Sequence, residues 1–111
     1  MIAPVDLQNL REITGGDASM EKELFHSFLE TSAECLAGLQ VALRNAENNL
    51  WRQKAHALKG VSLNLGAVQL GELCREAQDK FEASASEKQQ LLVAIQGEFG
   101  NVRGYLENID Y

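Results

Sequence analysis

The chain has 111 residues, 45% of them hydrophobic, and its 10 basic against 16 acidic side chains leave a net charge of −6. That length suits a single domain over residues 1–111, with a core that needs no metal or disulfide staple, and it excludes multidomain kinases and large cofactor-binding folds. So acidic a chain is a poor coat for nucleic acid or an anionic membrane, and no run approaches the roughly 18 apolar residues of a spanning helix.

The periodicity is helical throughout, because no run alternates apolar and polar residues between turn signals. A short first helix starts at the capping residue Asp6, carries Leu7, Leu10 and Ile13 on one side, and stops at Thr14-Gly15-Gly16. Asp17 or Ser19 caps a second helix, whose stripe runs from Phe25 and Phe28 through Cys35, Leu39 and Leu43 to about Ala46, with Gly38 as a weak point. Asn48 or Asn49 opens a third helix striped by Trp51, Ala55, Leu58, Ser62 and Leu65 and closed by Gly66. A fourth follows almost at once and buries Leu70, Leu73, Cys74, Ala77 and Phe81. Ser84-Ala85-Ser86 reads as a loop, with Ser86 capping a last helix that carries Leu92, Ile95, Phe99, Val102, Leu106 and Ile109. Gly97, Gly100 and Gly104 within it either admit a closely packed helix or mark a frayed tail. The expected fold is all-α: an antiparallel four-helix bundle with a short extra N-terminal helix.

The start, Met1 to Asp6, lacks the basic residues and apolar run of a signal peptide. Two cysteines, Cys35 and Cys74, are too few for a secreted disulfide scaffold. A reduced, cytoplasmic setting is expected. Both cysteines fall on apolar stripes and read as buried thiols, which disfavours a cysteine–histidine nucleophile pair. No HExxH or CxxC spacing supports a metal site.

The charge is uneven. Asn48 to Gly71 holds no acid and three bases, Arg52, Lys54 and Lys59, so an otherwise acidic chain has one basic helix. His56 lies in its middle, at the edge of the apolar stripe, with Arg52 and Gln53 before it and Lys59 and Gly60 after it on one helical surface. A lone histidine here would be an ordinary surface residue. Histidine, lysine and glycine together point instead to a group placed on the imidazole: Lys59 is a cation one turn away, and Gly60 clears the approach. If the third and fourth helices fold back about Gly66-Ala67, Gln78 is as far beyond Ala67 as His56 is before it, so its amide can hold the ring. His26, with Glu23 and Glu30 nearby and no such neighbours, reads as a surface histidine, and Trp51 as a core anchor.

Residues 55–67, Ala-His-Ala-Leu-Lys-Gly-Val-Ser-Leu-Asn-Leu-Gly-Ala, resemble the signature of histidine-containing phosphotransfer (HPt) domains, His-x-Leu-Lys-Gly-x-Ser followed by Gly-Ala. The resemblance covers nearly the whole chain. It implies that His56 carries phosphate on Nε2 and exchanges it with the aspartate of a receiver domain, with Lys59 as electrostatic helper, Gly60 as steric gap and Gln78 as hydrogen-bonding partner. It further implies a monomeric phosphoryl carrier of a two-component phosphorelay, without kinase activity of its own, between a sensor histidine kinase and response-regulator receiver domains. No cofactor is expected in this chain; magnesium is expected in the partner receiver. Neither nucleic acid nor a membrane is an expected partner. Arg52, Gln53, Lys59 and Leu63 are the candidate partner-binding residues, together with neighbouring surface of the second helix. Two alternatives stand beside this reading: the phosphate-accepting HPt domain of a larger hybrid or chemotaxis-type kinase, and a helical adaptor that is never phosphorylated.

Overall fold

In a computed structural model, which describes residues 3–109, the chain forms five helices: α1 (Leu7–Thr14), α2 (Ala18–Arg44), α3 (Asn48–Leu65), α4 (Val68–Asp79) and α5 (Ala85–Glu107). No strand occurs among the described residues. Helices α2 to α5 form the bundle. α3 packs most extensively, against α2 on one side and α4 on the other, α5 closes on α4 and α2, and α1 lies on α2. Among the described residues, no helix is long and apolar enough to cross a membrane.

The helix starts follow from side-chain chemistry. Asp6 accepts from the Asn9 N–H and Asp17 from the Met20 N–H, each satisfying a donor the helix leaves free. The expected cap at Ser86 is displaced to Ser84, whose Oγ accepts from the Glu87 N–H. Two capping patterns overlap here, Ser84 with Glu87 and Ser86 with Gln89. The turn that closes α4, with the Ala83 N–H bonded to the Lys80 carbonyl, brings the chain into the first.

Helices α2 and α3 end alike. The Ala67 N–H returns to the Ser62 carbonyl at 2.8 Å, and the Glu47 N–H to the Ala42 carbonyl at 2.9 Å. Both turns need a left-handed residue. α3 supplies Gly66 at φ 93°, where a Cβ would also lie 2.9 Å from the Asp6 carbonyl oxygen. α2 supplies Ala46 at φ 55° and so ends at Arg44, two residues before the expected end. The same Gly66 accepts from the Asp6 N–H at 2.8 Å, which ties the N-terminal segment to the α3–α4 turn and places Val5 in the core.

The core is built on the expected stripes of α2 to α5, with Trp51, Leu10, Leu39, Leu58, Leu70 and Ile95 fully enclosed, whereas of the expected α1 stripe only Leu10 is buried: Leu7 is half-buried and Ile13 is 60% exposed. Trp51 donates its indole N–H to the Ala77 carbonyl at 2.9 Å, pinning the start of α3 to the end of α4. Lys88 of α5 is buried against it. Its ammonium stands 5.5 Å from the indole centroid and donates to Asn48 Oδ1, and burial pushes its pKa down. Leu73, Phe81, Phe99 and Ile109 are half-buried rather than buried, and Phe81 lies beyond the end of α4. Gly97, Gly100 and Gly104 neither admit a helix nor end one: a Cβ at each would meet nothing within 4 Å, and α5 continues to Glu107. Nothing in the structure explains these three.

Candidate functional site

The basic helix divides its cations between two sides. Lys54 turns toward α2, where its Cγ, Cδ and Cε atoms occupy the notch left by Gly38; a Cβ on that glycine would lie 2.7–2.8 Å from them. The weak point of α2 is therefore a slot for the lysine stem. Arg52 turns the other way, and its guanidinium sits 5.1 Å above the Phe81 ring. Leu63 also faces α4, with Cδ2 in the space that a Gly71 side chain would need.

These contacts share one register. Leu63 lies four residues before Ala67 and meets Gly71, four residues after it. His56, eleven before, meets Gln78, eleven after: imidazole Nδ1 is 3.4 Å from the Gln78 amide oxygen. Arg52 meets Phe81 one residue short of the rule, where α4 has already ended. The hairpin geometry read from the Gly66 turn is the observed one.

His56 is exposed on this seam and Gln78 is half-buried. In its Nδ1–H tautomer the ring donates to this amide oxygen. Nε2 is then the nitrogen with the free lone pair, and it is the ring atom further from the backbone. Lys59 is half-buried one turn on, and no acidic side chain among the described residues pairs with it. Gly60 is exposed, and a Cβ there would meet nothing within 4 Å, so this glycine serves no packing contact. Gln53 is exposed on the same surface, and Leu63 is half-buried, its branched end committed to α4. An imidazole with a hydrogen-bonding partner on Nδ1, an open approach and a cation one turn away can accept an electrophilic anion such as a phosphoryl group.

On the α2 side of α3 a shallow depression of about 170 Å³ opens between Leu24 and Ser27 of α2 and Val61 and Asn64 of α3, floored by Leu10 and Phe28. His26, in the same turn of α2 but not in the lining, pairs with Glu30 of its own helix. Both cysteines are buried and free. Burial pushes the Cys35 thiol up, and it pushes Cys74 up to about 12 with a smaller contribution from Cys35. Neither is the accessible thiolate a nucleophile pair needs.

Sequence reasoning missed the Lys54–Gly38 slot, the Arg52–Phe81 stack and the Leu63–Gly71 contact. The glycines were visible, but only the rotation of α3 about its axis decides which long side chain each receives.

The Hpt domain family matches residues 23–110. Among solved structures, the crystal structure of histidine-containing phosphotransfer protein B (HptB) from Pseudomonas aeruginosa PAO1 is similar, with 27% sequence identity and a TM-score of 0.83 over 93% of this chain and 90% of that one. No curated protein matches the sequence. The chain belongs to the Hpt domain family, the histidine phosphotransfer domains of phosphorelay signalling.

Proposed function

We propose that His56 is the phosphoryl-carrying histidine of this Hpt domain, and that it exchanges the group with the aspartate of response-regulator receiver domains. The observation that carries this is the His56–Gln78 bond on an open surface, which leaves Nε2 free beside Lys59 and Gly60. The Nε2 lone pair attacks the phosphorus of a receiver's aspartyl phosphate. The bond from phosphorus to the carboxylate oxygen breaks, and its electrons return to the carboxylate. The proton stays on Nδ1, donated to the Gln78 amide oxygen, so no proton moves. Lys59 offsets the charge of the phosphoryl oxygens, and Gly60 leaves room for the incoming aspartate.

Magnesium in the receiver would supply the main electrostatic stabilisation, with this domain positioning its imidazole. The depression between α2 and α3, whose α3 lining begins at Val61, one residue after Gly60, is a seat for apolar receiver side chains. Arg52 and Gln53 extend the contact surface. The same reading assigns an upstream sensor histidine kinase as the phosphoryl source, a carrier role without kinase activity, a monomeric state and a cytoplasmic location in which both thiols stay reduced.

Incubation of the protein with a phosphorylated receiver domain tests this. Acid-labile, base-stable phosphate is expected on His56. Its absence there, with the receiver active toward another Hpt domain, overturns the assignment.

A further inference from the structure

The register about Ala67 identifies a cation that the motif around His56 does not contain. Lys59 lies eight residues before Ala67, and Arg75 lies eight after it. They therefore share a rung of the α3–α4 seam, between the rung of Leu63 with Gly71 and that of His56 with Gln78, both of which the structure shows in contact. Arg75 is also three residues before Gln78 on α4, so their Cβ atoms stand about 5–6 Å apart on one helical surface. Lys59 lies three residues after His56 on the antiparallel α3, at the same end of the pair. The two cations thus flank the imidazole from the same end, one from each helix.

Arg75 is held lightly. Its Nη1 lies 3.3 Å from Glu72 Oε2, and both side chains are 52% exposed. An exposed pair of this kind contributes little to stability. A phosphoryl group offers the planar guanidinium two acceptor oxygens and nearly twice the charge of the Glu72 carboxylate.

We propose that Arg75 is a second phosphoryl-binding cation: when His56 is phosphorylated, its guanidinium exchanges Glu72 for the phosphoryl oxygens and completes, with Lys59, a two-helix clamp. The proposal rests on His56 being the phosphorylated residue. Glu72 then acts as a competitor that weakens the clamp, so the acid and the base of this ion pair have opposite effects on phosphoryl retention.

The test is the equilibrium ratio of phosphorylated protein to phosphorylated receiver domain, approached from both sides with the full chain. The ratio depends only on the free proteins, so contacts made while the two are docked cancel. Arg75→Gln is expected to lower the ratio about three- to fivefold, the scale of a solvent-screened charge contact. Glu72→Gln is expected to raise it, and the double variant to match Arg75→Gln alone, because Glu72 acts only through Arg75. Lys80→Gln removes the same charge from the Lys80–Glu76 pair of the same helix and is expected to leave the ratio unchanged. An Arg75→Gln ratio equal to that of the unmodified chain, or equal losses in Arg75→Gln and Lys80→Gln, overturns the clamp and leaves His56 intact as the carrier. No phosphate on His56 of the unmodified chain overturns the carrier reading before any variant is compared.

Discussion

The chain has two histidines, both exposed and both bonded to a side-chain oxygen, and the differences between their surroundings separate a charge partner from a reaction site. His26 presents Nε2 to the carboxylate of Glu30 at 2.9 Å, one turn along its own helix. His56 presents Nδ1 to the amide of Gln78 at 3.4 Å, across the seam to α4. The first arrangement occupies the outer nitrogen with an anion, which would repel an incoming phosphoryl group. The second occupies the inner nitrogen with a neutral acceptor and leaves the outer one free. Three and four residues on, His26 meets Leu29 and Glu30, whereas His56 meets Lys59 and Gly60. A histidine held from a neighbouring helix has its ring orientation set by the fold, while a histidine paired within its own turn owes its orientation to a partner that rotates with it.

The largest expected effect breaks this comparison at its base. His56→Gln should abolish phosphoryl acceptance with helical content unchanged, because the residue is exposed and its loss opens no cavity. His26→Gln should accept phosphate at the original rate. Mass spectrometry of both variants after incubation with a phosphorylated receiver decides the matter, and phosphate retained in His56→Gln would transfer the role to another residue.

Gly60 comes next. A Cβ there meets nothing, so Gly60→Ala should fold with stability unchanged or raised by roughly 0.4–1 kcal/mol, the usual gain from replacing a helix-interior glycine. Gly60→Gln should also fold, yet lose transfer by on the order of a hundredfold, because a long side chain one turn from His56 displaces the incoming aspartate. Thermal melting and transfer rate measured on the same protein separate access from packing. A lowered melting temperature with a normal rate for the folded fraction would assign Gly60 to packing.

Lys59→Ala should slow transfer by roughly tenfold or less, as expected for one partly screened cation facing a phosphoryl group. The deficit should shrink as salt is raised. His26 has no cation at this position, so no charge change near it should alter the rate. Equal rates for Lys59→Ala and the unmodified chain at low salt would reduce Lys59 to a solvated charge.

What the sequence disclosed follows the range of the interactions involved. Helix starts at Asp6 and Asp17 and the turn at Gly66 are local, because a cap or a left-handed residue acts within four positions. The His56–Gln78 pairing was legible for the same reason: one tight turn fixes a register that carries eleven residues outward on each side. The close of α2 was not legible, since Ala46 adopts the left-handed conformation that alanine disfavours by roughly 1 kcal/mol. Nor was the burial of Lys88 beside Trp51, or the choice between Ser84 and Ser86 as a cap, because both depend on where α5 meets the end of the α3–α4 hairpin. Gly38 and Gly60 look alike in the sequence, as glycines inside amphipathic helices. One is a slot for Lys54, the other an open surface beside His56, and only the neighbouring helix distinguishes them.

The smallest expected effect sharpens the comparison most. Glu30→Gln gives His26 an amide partner, the type that His56 already has. The stability cost should be at most about 0.5 kcal/mol, since the His26–Glu30 pair is 76% and 68% exposed and its acid lies C-terminal to its base, the weaker order on a helix. If an amide oxygen beside an exposed imidazole were enough to make a phosphoryl acceptor, the variant would gain a second phosphorylated histidine. We expect none. The new glutamine sits on the same turn as the ring it faces, so it does not hold Nδ1 from behind, and position 29 still offers a leucine where His56 has a lysine. The measurement is stoichiometry: one phosphate per chain on His56, before and after the substitution. A second phosphate on His26 would mean that the anion at Glu30 had been the only barrier, and that the seam, Lys59 and Gly60 tune a chemistry that any neutral-partnered surface histidine of this protein can perform.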